Sequence, residues 1–355
     1  VSIFPEVSNN SYGSWENSAN GVANTNWFDL HYKPYAMRQN YNVNLSGGNE
    51  GTQFFVSGGL YDEGGSLRYA DINYNRYNFN VSVNSQLTDF IKVKSNVKYT
   101  QNENKTPLAG YEDMFFHNLA RMRPNVSPYD FYGNWNEQSM IPYLQSGSEG
   151  KTNNGTLVLL GGLEISPLKN WKVFADLNFR RSNYDGSTLK LPGTIYGIDG
   201  TPISVNRSEY NIPLTGSFSR TMSEQNYITP NIYTNYKMQF DKHQIDLTAG
   251  FQQEYMQYKE LTSSATELIS FDRPGTDLAT GTKSSNEARN HWATRGFFAR
   301  VNYNFANKYL LEVNGRYDGS SRFAASQRWG FFPSVSAGYN ISEEYFFKDN
   351  VSWID

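Results

Sequence analysis

Apolar and polar residues alternate along much of this chain with a period of two. The pattern is clearest over 296–341. Phe297, Ala299, Val301, Tyr303 and Phe305 alternate with Phe298, Arg300, Asn302 and Asn304. Tyr309, Leu311, Val313, Gly315 and Tyr317 alternate with Leu310, Glu312, Asn314, Arg316 and Asp318, and Trp329, Phe331, Pro333, Val335, Ala337, Tyr339 and Ile341 continue the series. Successive side chains of a strand point to opposite faces, so three strands are predicted, each with one apolar and one mostly polar face. The unit recurs upstream: Tyr41, Val43 and Leu45; the run 52–61; Tyr77, Phe79, Val81 and Val83; Ile91, Val93, Val97 and Tyr99; the runs 156–165 and 171–181; Ile228, Ile232, Tyr236, Met238 and Phe240; and Ile245, Leu247, Ala249, Phe251 and Tyr255. About eleven strands result, many of roughly ten residues or more, against a mean near five or six in soluble proteins.

The connections also alternate. Tight turns are predicted at 47–51, 88–89, 166–170, 240–243 and 305–308, and longer loops at 62–72, 102–154, 182–225, 261–290 and 319–328. Such an order describes an up-and-down meander with all short turns at one end and the long loops at the other. Loops of that length are uncommon in compact domains unless they carry function. Residues 1–40 show no sustained period, although 27–39 could hold a short helix or turn. The 102–154 loop contains a helical stretch at 111–122, and 217–222 could extend a strand.

Composition narrows the class. Hydrophobic residues make up 38% of the 355 positions, which is low for a globular chain, but aromatics reach 16%, with 26 Tyr and 23 Phe, and argue against disorder. A net charge of −3 supplies no basic field for nucleic acid, and the absence of cysteine removes disulfides and thiol-based metal sites. No apolar run approaches the ~18 residues of a membrane helix. The opening residues form no signal peptide, and we read the chain as a segment of a longer one.

Alternation alone does not say whether the apolar face points inward or into lipid. Strands of about 9–11 tilted residues span a bilayer, and a closed barrel leaves no unpaired edge there. Short turns at one end with long loops at the other are the arrangement of outer-membrane barrels. Aromatics gather near strand ends, at Tyr61, Tyr99, Trp171, Tyr227, Phe240, Tyr303, Tyr309, Tyr317 and Trp329, as interfacial girdles do. These features favour a membrane barrel over a soluble β-sandwich or carbohydrate-binding module. Val301, Leu311 and Val335 are then expected to face lipid, and Arg300, Glu312 and Arg316 the lumen.

Three stretches carry a family resemblance: NYNVNLSGGNEGTQFFVSGGLYDEGG (40–65), NYNRYNFNVSVNSQLTDFIKVKSNVKYTQNEN (73–104) and RGFFARVNYNFANKYLLEVNGRYDGSSRFAASQRWGFFPSVSAGYNISEEYF (295–346). The chain resembles the SusC/RagA-type TonB-dependent transporters of the Bacteroidetes outer membrane. The resemblance implies an all-β fold: roughly half of a 22-stranded antiparallel up-and-down barrel, with short periplasmic turns, long extracellular loops and a plugged lumen. Residues 1–37 would lie in an extracellular loop and 38–355 would be barrel, with the plug domain and TonB box outside this sequence. It further implies active import of oligosaccharides or peptides, with TonB and a SusD-like surface lipoprotein as partners. A passive porin-like barrel is the alternative.

Nothing in the sequence points to an enzyme or a cofactor. The histidines, His31, His117, His243 and His291, are scattered, and no HExxH, GxSxG or phosphate loop occurs. The paired glycines read as turns or strand kinks. The run Asp62, Glu63, Gly64, Gly65 reads as a solvated turn rather than a calcium loop. The better candidates are loop aromatics: Phe131, Tyr132, Trp135 and Tyr143 in the 102–154 loop, with Tyr12, Trp15 and Trp27 in the first. Their rings can stack on sugars or peptide side chains, or else pack the loops together.

Overall fold

The structure is a computed structural model that describes residues 23–107, 113–129, 132–135, 139, 141–196, 200–205 and 215–350. In chain order the elements are α1 (Trp27–His31), β1 (Arg38–Gly48), β2 (Thr52–Gly64), β3 (Asn73–Thr88), β4 (Ile91–Pro107), α2 (Asp113–Arg121), α3 (Ile141–Gln145), β5 (Glu149–Leu168), β6 (Trp171–Lys190), β7 (Gly193–Tyr196), β8 (Pro202–Val205), β9 (Ser217–Phe240), β10 (His243–Thr266), β11 (Lys283–Phe305), β12 (Tyr309–Ser320), β13 (Trp329–Tyr339) and α4 (Tyr345–Asn350). Eleven strands make one sheet in the order β1-β2-β3-β4-β5-β6-β9-β10-β11-β12-β13, while β7 and β8 form a separate hairpin. Every neighbouring pair is antiparallel, and β1 and β13 are free edges of an open arc.

The register turns the alternation into two faces. Val335, Val313, Val301, Leu247, Tyr236 and Trp171 pair one to the next across β13, β12, β11, β10, β9 and β6. One residue along, Ser334, Asn314, Arg300, Thr248, Asn235 and Lys172 make the matching polar row. Because the side-chain period is two, a slip of one residue anywhere would exchange these rows. The polar row is cross-linked: Arg300 Nε donates to Asn314 Oδ1 at 2.6 Å and Asn235 Nδ2 to Thr248 Oγ1 at 3.0 Å.

Two aromatic bands border the apolar face. At the short-turn end Phe240 and His243 stack at 4.9 Å, His243 meets Phe305 at 4.8 Å, and Tyr309 stacks on Tyr339 at 5.3 Å. At the other end Phe251 lies 5.2 Å from Phe297, and Tyr317 5.0 Å from Trp329. From Trp329 to Tyr339 the strand rises about 26 Å along a barrel axis, taking ~3.4 Å per residue and a ~40° tilt. That is the height of an outer-membrane apolar band, about 25 Å. Two of the expected girdle residues belong elsewhere: Tyr61 pairs with Asn40 and Arg76, and Tyr227 with Arg180 and Met256, all on the polar face.

The strands run further into the expected loops than alternation suggests. β4 reaches Pro107, β5 starts at Glu149, β6 reaches Lys190, and β9, β10 and β11 are 24, 24 and 23 residues long. Above the aromatic band both faces are polar, so the ladder continues without a period in the sequence. The Asp62, Glu63, Gly64 run likewise closes β2: Glu63 pairs with Arg38, lies 3.4 Å from its guanidinium and accepts a hydrogen bond from Tyr61.

Among the described residues, every buried apolar side chain lies at the long-loop end. One core joins Trp27, Leu67, Ala70, Leu119, Val126, Tyr143, Leu144 and Ile195, and a second joins Leu189, Leu191, Ala265, Leu268 and Ala279. Apart from Leu189 and Ala265 at the upper ends of β6 and β10, the sheet has no buried apolar core among the described residues. Its exposed apolar face includes Val43 at 74%, Val335 at 68% and Phe331 at 64% accessibility, which requires a cover other than water.

Candidate functional site

The long loops build a packed cap. Asn26 starts α1, its Oδ1 accepting from the backbone of Phe28 at 3.2 Å and Asp29 at 3.3 Å. This cap turns Trp27 and His31, one helical turn apart, into the core. Trp27 Nε1 donates to the Arg123 carbonyl at 2.9 Å, and Thr25 donates through its amide to Pro124 O and through its hydroxyl to Val126 O, each at 2.8 Å. Burial holds the His31 imidazole below its ordinary range against the opposing hydrogen bond to the Trp27 carbonyl, so it stays neutral near pH 7. From the 62–72 loop Arg68 Nε reaches the carbonyls of Asp29 and Tyr32 at 3.0 and 2.7 Å.

Lys105, at the end of β4, ties this cap to the sheet through Asp71 at 2.7 Å and Glu149 at 3.1 Å. The Lys105 hydrogen bond holds the Asp71 carboxyl below its usual range. Glu149, although burial pushes it up, is drawn below its range by Lys151 and Lys105. The Lys105 ammonium is raised, chiefly by Asp71. Carboxylates with depressed pKa values contribute stability above their unfolded pKa, near 4, and lose it as pH falls through the folded value; the raised lysine contributes below about pH 10 and loses it above. Asp71 is 76% exposed, so solvent screening limits the tie to about 1 kcal/mol or less. Protease susceptibility of the 65–72 loop should therefore rise below about pH 4, and Lys105→Met should raise it at neutral pH and flatten the acid dependence.

On the cap, Trp135 stacks on Tyr129 at 4.5 Å, meets Tyr69 edge-on at 5.5 Å and donates its Nε1 to Gln145 Oε1 at 2.9 Å. Tyr132 is 69% exposed, its ring lying over Gly200. Gly200 has φ +77° and a Cβ there would come within 2.6 Å of the Tyr132 ring, so both backbone conformation and close approach call for glycine. Tyr143, 2% exposed, packs with Leu144, Ile195 and Trp27 inside the first core. Of the four residues selected from sequence, Tyr132 and Trp135 reach the cap surface, Tyr143 lies beneath it, and Phe131 falls outside the described residues.

A second aromatic set escaped the sequence reading. Tyr227 and Trp292 lie on the polar face with ring centroids 6.0 Å apart, the Arg180 guanidinium 5.1 Å from Tyr227 and that of Arg322 4.9 Å from Trp292. Their position out of phase with the apolar residues of β9 and β11 was the available signal. Among the described residues no group of three or more His, Asp or Glu side chains is placed to hold a metal ion.

The family profile of the TonB dependent receptor-like beta-barrel matches residues 119–353, well over half of the chain. The chain belongs to this family. It is 26% identical to the TonB-dependent receptor SusC of Bacteroides thetaiotaomicron over 349 residues, covering 93% of this chain and 33% of that protein. It is also 26% identical to the TonB-dependent receptor P39 of Formosa agariphila over 331 residues, covering 89% of this chain and 29% of that one. Among solved structures it resembles the RagAB peptide importer in its closed-closed state, with a TM-score of 0.75 at 18% identity over 92% of this chain and 36% of that one. The chain thus spans about a third of the length of these relatives. It is an outer-membrane β-barrel segment whose apolar face meets lipid and whose polar face lines the lumen. The short turns are periplasmic and the cap is extracellular.

Proposed function

We propose that this segment belongs to an active importer of oligosaccharides or peptides, energised by TonB through a plug domain and TonB box encoded elsewhere in the full protein. A SusD-like surface lipoprotein is its extracellular partner. The observation that carries this reading is the packed cap: two buried cores form at the long-loop end of strands with a polar face, and Tyr132 and Trp135 reach the surface there. The SusC and RagAB likenesses support it, since the solved relatives include a peptide importer.

The test uses the full-length protein in its own outer membrane. Uptake of its substrate should stop when TonB is deleted, and the protein should co-purify with a surface lipoprotein. Uptake that persists without TonB identifies a passive pore and overturns the reading. Tyr132→Ala and Trp135→Ala should each weaken substrate binding about three- to tenfold, the range expected for one aromatic contact. Tyr143→Phe, beneath the surface, should leave binding unchanged.

A further inference from the structure

The register assembles one row of the polar face from six strands. Lys98, Val158, Arg180, Tyr227, Met256 and Trp292 are paired one to the next across β4, β5, β6, β9, β10 and β11. Five strand spacings of ~4.8 Å make this wall about 24 Å long. Its β11 end lies above the outer aromatic band, at the extracellular mouth of the lumen, since Trp292 is five residues beyond Phe297, while at its other end Lys98 adjoins Tyr99. Arg322 joins it from the β12–β13 loop, which is pinned to β11 by Ser321 N–H donating to Ala293 O and Ala293 N–H to Ser321 Oγ, both at 2.9 Å.

The row carries three cations and no acid. Lys98, Arg180 and Arg322 take no part in the ion pairs of the described residues. Glu254 stands one row inward, beside Tyr227. Arg180 and Arg322 are exposed and the two rings are half-buried, each ring carrying a guanidinium on one face. The next row outward is Asn78, Thr100, Thr156, Ser182, Gln225, Tyr258 and Asn290. It holds only uncharged hydroxyls and amides, groups that both donate and accept, as sugar hydroxyls do.

We propose that Lys98, Arg180, Tyr227, Trp292 and Arg322 form a binding wall for an anionic oligosaccharide, one that carries carboxylate or sulfate groups. The guanidinia and the ammonium take the acid groups, the Tyr227 and Trp292 rings stack on sugar faces, and the hydroxyl-and-amide row reads the remaining hydroxyls. The assignment rests on the import reading and names its cargo.

Binding by the purified full-length protein in detergent tests it, because binding needs no TonB. The probes are a hexameric oligogalacturonate, maltohexaose and hexa-aspartate. The oligogalacturonate should bind, with affinity falling as salt rises. Arg180→Gln, Arg322→Gln and Trp292→Ala should each weaken it about tenfold, the scale of one charge-assisted or stacking contact, while Arg180→Lys retains most of the affinity. Heat-modifiable migration on gels verifies that each variant is folded. Equal or tighter binding of maltohexaose, preference for hexa-aspartate, unchanged affinity in the folded variants, or no binding of any probe would each overturn the proposal. TonB-dependent uptake of a neutral glycan or a peptide by whole cells would leave the import reading standing while this one fell.

Discussion

Val313→Arg is expected to cost about 2–4 kcal/mol of barrel stability, the penalty for a cation on the lipid face at the bilayer midplane. Val313 lies midway between Tyr309 and Tyr317, four residues from each aromatic band, and is flanked in register by Val301 and Val335. Asn314→Ser, one residue along, should change stability by less than about 1 kcal/mol, since it loses only hydrogen bonds in a wet lumen, to Arg300 at 2.6 Å and Glu312 at 2.7 Å. The comparison is read from the fraction of full-length protein that assembles into lipid vesicles and from its urea midpoint. If Asn314→Ser blocked assembly and Val313→Arg did not, the two faces would be assigned the wrong way round.

Trp27→Ala should be nearly as costly but confined to the cap. The side chain is 3% exposed, packs in the larger loop core and donates to the Arg123 carbonyl at 2.9 Å. Truncating a buried tryptophan costs about 3–5 kcal/mol, and the Arg123 carbonyl loses its partner. Because the sheet is held by its own ladder, the loss should appear as faster amide exchange and proteolysis across 23–37, 65–72 and 113–148, with β9, β10 and β11 still protected. Trp27→Phe should recover most of the packing and leave a deficit near 1 kcal/mol from the missing N–H. Loss of protection in β9, β10 and β11 as well would show that cap and barrel unfold as one unit.

Between the aromatic bands the fold was legible because the environment is asymmetric. Lipid on one side and a wet lumen on the other impose a period of two, so β12 and β13, which barely leave the bilayer, were read almost residue for residue. Where a strand rises above the band, both faces meet water and the period vanishes. That is why 182–190, now the end of β6, looked like loop, and why 217–222, now in β9, showed only as a possible strand extension. Tyr61 and Tyr227 were misread for a related reason: closeness to a strand end suggested a girdle, but parity, fixed by register, puts them on the lumen side.

The candidate site divides the same way. Sequence singled out the 102–154 loop aromatics, yet could not separate Tyr132, which lies open over Gly200, from Tyr143, which supports the core two per cent exposed. Both are tyrosines in an aperiodic segment. The Arg180, Tyr227, Trp292 and Arg322 set spans positions 180 to 322 and has no local signature.

By itself, the sequence determined the strand count, the direction of the meander, the two faces and the family. Those follow from period, turn residues and motifs, all local properties of the chain. Only the tertiary structure decided how high the strands rise, which loops share a core, and which lumenal side chains stand in one row. Each of these depends on register between strands distant in sequence and on packing between loops, and neither leaves a periodic trace along the chain.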